Sequence, residues 1–268
     1  MTRKLTLVAT CLFCTSALFA QTTELPPPVR IDSGVSGHIH PALFISKKGT
    51  LVAVYCKKEY APYLIVRSTD GGKTWSKPAL FGPTEKTQVY PGSLTTLADG
   101  SLVHTWNDWY PAAPKLMSRQ IAYSISNDDG ITWSAPKMLA KADDPKVGSV
   151  IRHPFVEISS TAWLMSLADR TTLFNPQTGV ESPFGDHKKH GLTPIVRTAK
   201  GTLVSGKGLR STDGGKSWQE VKPFPDVASQ GWRQQLIALK NGWLLASQSE
   251  GPGFGGDKIN FIVSRDDG

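Results

Sequence analysis

Cysteine is scarce: the chain has 3 in 268 residues, and Cys11 and Cys14 lie at its very start. If that start is removed, only Cys56 remains, which excludes an intrachain disulfide and any cysteine-based zinc spacing. Long apolar runs are absent after Leu5–Phe19, so no helix of the body can span a bilayer. Charge is sparse, at 19% of residues, and its basic excess of +8 is spread over pairs such as Lys57-Lys58 and Lys188-Lys189. That dispersal argues against a nucleic-acid stripe. No phosphate loop, nucleophile elbow or dinucleotide fingerprint occurs, and no segment sustains a helical period. What the chain does have is 25 Gly, 19 Pro and 8 Trp, a supply of turns and of aromatic surface for a core.

The N-terminus reads as a secretory signal over residues 1–20. Arg3 and Lys4 supply a basic start, Leu5–Phe19 the apolar run, and Ala20 the small residue at the cut. The expectation is a secreted or periplasmic protein whose formal charge falls by two on cleavage. Residues 21–36, with Glu24 to Pro28 extended, form a lead-in, and residues 37–268 one domain.

That domain is built from repeats. Five segments carry an apolar residue, a small residue six positions on, and a leucine two further. The apolar residues are Leu43, Leu94, Val156, Ile195 and Leu236; the leucines are Leu51, Leu102, Leu164, Leu203 and Leu244. Short apolar runs around a turn of this kind are β-hairpins, and periodic hairpins make an all-β repeat fold.

A second motif follows the hairpins. Ser68-Thr-Asp70-Gly-Gly72-Lys-Thr-Trp75 recurs as Ser126-Asn-Asp128-Asp-Gly130-Ile-Thr-Trp133 and as Ser211-Thr-Asp213-Gly-Gly215-Lys-Ser-Trp218, and begins again at Ser264-Arg-Asp266-Asp-Gly268. Ser and Asp side chains bond nearby amides, Gly accepts positive φ, and Trp offers a large surface to bury between sheets. These aspartates are turn formers, not acids, and the three tryptophans are expected to be buried between neighbouring sheets.

The motif resembles the Asp-box (BNR) repeats of the sialidase superfamily, over roughly Ile39 to Gly268. The resemblance implies a six-bladed β-propeller of sialidase type, here breaking off within the fifth blade, with the third blade lacking its Asp box. It also implies a glycoside hydrolase acting on a terminal, acidic sugar. The alternative is a non-catalytic Asp-box propeller that binds glycans or a protein partner.

In an up-and-down blade, the start of strand one and the loop from strand two to strand three share one face, opposite the Asp box. That face would gather His40, Lys58, Trp106, Trp109, Arg152, Arg170 and Arg233 as sugar-binding residues. Arg holds a carboxylate bidentately, and indole faces stack on pyranose rings. Asp108, Asp169 and Glu250 are the candidate catalytic carboxyls, because glycoside cleavage uses two of them across the bond. The family's Arg-Ile-Pro motif is replaced by Ile39-His40-Pro41, and Lys57-Lys58 stands where a second family arginine would follow strand two. Those departures lead us to expect weak cleavage, or none, of ordinary sialosides. His38, His40 and His187-Lys-Lys-His190 have ligand-like spacing but no acidic partners, so neither a metal nor a cofactor is expected.

Overall fold

The computed structural model describes residues 27–37, 41–58, 61–81, 88–109, 120–141, 150–184, 193–221, 235–250 and 258–267. Over these the chain is an all-β propeller, with five antiparallel sheets among the described residues and no helix. Blade 1 is β1 (Ala42–Ile45), β2 (Leu51–Lys58), β3 (Ala61–Ser68) and β4 (Ala79–Leu80). Blade 2 is β5 (Gln88–Thr96), β6 (Leu102–Trp109), β7 (Gln120–Ser126) and β8 (Lys137–Lys141). Blade 3 is β9 (Val156–Ser159), β10 (Ala162–Ser166), β11 (Thr171–Asn175) and β12 (Val180–Pro183). Blade 4 is β13 (Ile195–Arg197), β14 (Leu203–Ser205), β15 (Leu209–Ser211) and β16 (Gln219–Glu220). Blade 5 is β17 (Gln235–Ala238), β18 (Leu244–Glu250) and β19 (Lys258–Ser264). Each sheet pairs its strands in chain order, the meander that two-residue side-chain alternation permits.

The core lies in the seams. Val52, Val54 and Tyr63 of blade 1 meet Leu94, Leu102 and Trp106 of blade 2. Val103, Ile121 and Tyr123 of blade 2 meet Phe155, Trp163 and Phe174 of blade 3. Leu164 and Val156 meet Ile195 and Leu203, and Val204 meets Leu236 and Leu244. Both apolar positions of the repeat are buried in blades 2 to 5; in blade 1 Leu51 is half-buried and Leu43 is 60% exposed, on the face turned away from blade 2. Part of that face is covered by the lead-in. Asp32 accepts from the Tyr55 hydroxyl at 2.9 Å and from Lys57 Nζ at 2.6 Å, while Val35 packs beside Tyr55 and Leu64.

Blade 3 departs from the repeat by one residue. Its register shifts between Ala162 and Trp163, so Trp163 and Met165 face blade 2 while Leu164 faces blade 4. In blade 2 the shift falls between Pro91 and Ser93, a bulge that accommodates a proline within a strand. Gly92 fits there because a Cβ would lie 2.4 Å from the Thr105 carbonyl oxygen.

The Asp boxes are hydrogen-bonded turns, as their composition implies. Ser68 Oγ donates to Asp70 Oδ1 at 2.8 Å and accepts from Gly72 N at 2.9 Å, while Asp70 takes both the amide and the hydroxyl of Thr74. The boxes at Ser126 and Ser211 repeat these bonds with Asp128 and Asp213. The Thr132 hydroxyl, then its amide, hold Asp128 down at about 2, and Thr74 and Ser217 hold Asp70 and Asp213 well below the usual carboxylate range. The motif tryptophans pack beside their turns, each half-buried: Trp133 on the seam of blades 1 and 2, Trp218 on that of blades 3 and 4, and Trp75 against blade 1 and the lead-in. Trp75 and Trp133 donate Nε1 to the carbonyls of Gly72 and Gly130. A turn residue at the rim of a sheet has solvent on one side.

Candidate functional site

Strand order places the ends of β2, β6, β10 and β18 on the face opposite the Asp boxes. Lys58 stands there exposed, on the rung opposite Ala61. Asp108 and Trp109 hold the last rungs of β6, opposite Val89 and Gln88, and Glu250 the last rung of β18, opposite Lys258. These are backbone positions; their side chains lie outside the described set. His40 and Arg233 lie outside the described residues altogether.

Asp169 and Arg170 follow β10 and form the best-defined charged cluster of this face. Arg170 Nε and NH2 donate to the two carboxylate oxygens of Glu181 at 2.6 and 2.9 Å, and NH1 donates to Asp169 Oδ2 at 2.5 Å. The guanidinium side chain is 7% exposed, against 14% for Asp169 and 22% for Glu181. This is a fork-on-fork pair of the strong kind, with a second carboxylate on the remaining nitrogen. Arg170 therefore reaches the site face already bonded to protein carboxylates. Glu181, on β12 of the same blade, carried no motif, and only its rung near Phe174 could have pointed to it.

Arg152 is half-buried and is held by its neighbours' backbone. Asn107 donates from Nδ2 to the Ile151 carbonyl at 2.9 Å and accepts the Ile151 amide at Oδ1 at 2.8 Å. Ile151 also bridges to Leu167, and Ser93 Oγ donates to the His153 carbonyl at 3.0 Å. Asn107 is fully buried. It is a positioning residue that pins the Ile151–His153 segment across the seam between blades 2 and 3, and so sets where Arg152 emerges.

Trp106 corrects the sequence expectation. It is 1% exposed, on the blade 1 side of β6, stacked on His104 at 5.6 Å and near Phe81 at 6.5 Å. The strand runs on to Trp109, so Trp106 is a strand residue on the same face as Leu102 and His104. Its indole fills the core and offers no stacking wall. Among the described residues, no three His, Cys, Asp or Glu side chains gather as metal ligands.

With this geometry in view, the comparisons with known proteins divide cleanly. The BNR/Asp-box repeat model matches residues 66–77 and 209–220, the boxes of blades 1 and 4. A sialidase of Bacteroides fragilis is 27% identical over 210 residues, covering 67% of this chain and 34% of that protein. The chain thus spans about a third of the length of that relative. A Hadza microbial sialidase structure superposes with a TM-score of 0.66 at 17% identity, over 88% of this chain and 57% of that one. An alpha-L-arabinanase of Penicillium chrysogenum, complexed with arabinobiose, gives 0.62 at 14% identity over 84% and 76%. A leech intramolecular trans-sialidase gives 0.58 at 12% identity over 84% and 57%. At these identities the structures speak for the fold. Together with the repeats and the sequence relative, they make the chain a sialidase-like BNR propeller.

Proposed function

We propose that this chain is an exported, sialidase-like glycoside hydrolase on a six-bladed propeller, acting on terminal, acidic sugars at the face opposite its Asp boxes. The observation that carries the reading is the placement on that one face of strand ends from separate blades bearing Lys58, Asp108 and Glu250, with Asp169 and Arg170 following β10 and Arg152 in the segment that Asn107 pins. Basic groups suit a sugar carboxylate, and carboxyls from different blades can flank one bond. His40, Trp109 and Arg233 complete the proposed binding set. Residues 1–20 would direct export.

A second reading, a glycan- or protein-binding propeller without catalysis, is favoured by one feature. Each of the three guanidinium nitrogens of Arg170 already bonds Glu181 or Asp169, as in a scaffold residue. Arg170→Ala would strand two carboxylates and is expected to cost about 3–5 kcal/mol of stability. Loss of binding in that variant therefore reports folding as well as recognition.

The test is turnover of aryl glycosides of sialic, hexuronic and neutral sugars by the protein and by its Asp108→Asn and Asp169→Asn variants. At least one substitution should lower the rate about 100-fold or more, and binding of the acidic sugar should weaken with salt. Turnover untouched by both removes the acid and base assignment. Binding without turnover across the panel establishes the second reading.

A further inference from the structure

The Asp boxes differ at one position, and the difference follows a rule. In blades 1 and 4 the residue after the box aspartate is Gly71 or Gly214; in blades 2 and 5 it is Asp129 or Asp267. Among the described residues, these two aspartates are the non-glycine residues with positive φ, at 66° and 75°. That backbone suits glycine better. The box itself does not need the extra carboxylate, since Asp70 and Asp213 make the full set of turn bonds beside a glycine.

The carboxylates leave their own blade instead. Asp129 Oδ2 accepts from the Thr50 hydroxyl and from Arg67 NH2 at 3.2 Å, and its carbonyl accepts from Arg67 Nε at 2.9 Å. Asp267 Oδ2 accepts from the Thr202 hydroxyl at 2.8 Å and from Arg210 NH2 at 3.0 Å. The partners are equivalent residues of the preceding blade. Thr50 and Thr202 each follow the turn glycine before strand two, and Arg67 and Arg210 each precede a box serine. Lys48 and Lys200, two residues before those threonines, add charge. The aspartate side chains are 10% and 3% exposed.

The sockets and the plugs occur together. Blade 1 reads Ser46-Lys-Lys48-Gly-Thr50 with Arg67, blade 4 reads Thr198-Ala-Lys200-Gly-Thr202 with Arg210, and each is followed by an Asp-Asp-Gly box. Blade 2 has Ser101 and Ile125 at these places, and blade 3 after it has no box. Blade 3 has no such socket, and the box of blade 4 after it has Gly214.

We propose that the residue after the Asp-box aspartate is an inter-blade lock, and that a Lys-Gly-Thr turn with its strand-three arginine is a socket that accepts the acidic turn of the next blade. Blades 1 and 2, and blades 4 and 5, are thereby joined as pairs. The seams on either side of blade 3 have no such lock: apolar packing is joined there by the Asn107 clamp, by the Ala98 amide on Glu157 at 2.6 Å and by the Thr193 amide on Ser166 Oγ at 3.4 Å. Each lock sets a strained backbone against a charge-assisted bond, so the aspartate is selected for its partner and not for its turn.

The turn reading and the lock reading predict opposite signs for one substitution. Asp129→Gly relieves the positive φ, so a turn role predicts an unchanged or raised melting temperature. The lock predicts a lowered one, with amides of residues 48–52 exchanging about tenfold faster or more, as expected for loss of one charge-assisted bond. Asp267→Gly should do the same at residues 200–204. The milder Asp129→Asn and Arg67→Met changes close a double-mutant cycle in the full chain, and the double variant should exchange no faster than the worse single one. Gly214→Asp, placed against a blade without a socket, should fail to stabilise. A melting temperature unchanged or raised in both glycine variants, or multiplying effects in the cycle, would overturn the proposal.

Discussion

Trp163→Ala should cost about 3–5 kcal/mol, a large share of the 5–15 kcal/mol by which a domain is ordinarily stable. The indole is 1% exposed and lies in the seam between blades 2 and 3. It stacks on Phe155 with centroids 4.5 Å apart and planes 20° apart, and meets Tyr123 and Phe174 at 5.5 and 5.7 Å. Blade 3 lacks both an Asp box and a lock, so this aromatic group is a main apolar contributor to the joint, beside the Asn107 and Glu157 hydrogen bonds. Burial of one large ring and its offset stacking give the magnitude. Urea unfolding checks it: the midpoint should fall with an unchanged slope. A loss below about 1 kcal/mol would mean that the seam is held elsewhere.

Acid should destabilise the protein well before its carboxylates titrate. His104 is fully buried between Phe81 and Trp106, with Nδ1 at 3.0 Å from the Ser93 carbonyl and Nε2 against the Tyr63 hydroxyl. One ring nitrogen donates and the other accepts, so the neutral ring is satisfied and a second proton has no acceptor. Burial pushes its pKa down to about 3. Burial likewise raises the Tyr63 phenol, which keeps its proton. The unfolded chain binds a proton on His104 below its ordinary value near 6.5, whereas the folded chain does not until about pH 3. Stability therefore falls as pH drops through that window, by up to about 1.4 kcal/mol per pH unit. The Asp boxes act in the same direction but lower, since Asp128 loses its contribution only between the usual 3.8 and about 2. Urea midpoints from pH 7.5 to 4 should slope downward in the wild type, and His104→Gln should flatten the slope. A flat wild-type profile would place His104 in contact with water.

Much of the fold was legible because its signals are local. The turn residue and leucine of each repeat mark a hairpin wherever they occur, and the Ser-Asp-Gly-Thr set of each box satisfies itself within one turn. The errors arose where a neighbouring blade decides. The polar and aromatic tract from Trp106 to Tyr110 reads as a loop. Yet β6 continues through it, and alternation from Leu102 carries Trp106 into the core. The one-residue slip at Ala162 was hidden because Leu164 stays apolar and buried on either face. The candidate site was harder still. The face that Arg170 reaches is readable from strand order, but its ion pair is not, because Glu181 lies eleven residues away on another strand with no motif of its own. Asn107 could be placed at the right face, but its clamp on Ile151 depends on a segment 44 residues later. The tryptophans of the boxes pack against the core as their size argues, and their position at a sheet rim leaves each half outside.

A carbohydrate bound at the face opposite the Asp boxes should be visible by hydrogen exchange of the protein with and without a sialoside ligand. Protection is expected in the strand ends around Lys58, Asn107 to Trp109, Ile151 to His153 and Asp169 to Arg170, with the turns at Asp70, Asp128 and Asp213 unchanged. Protection confined to those Asp-box turns, or to the outer strands, would contradict it.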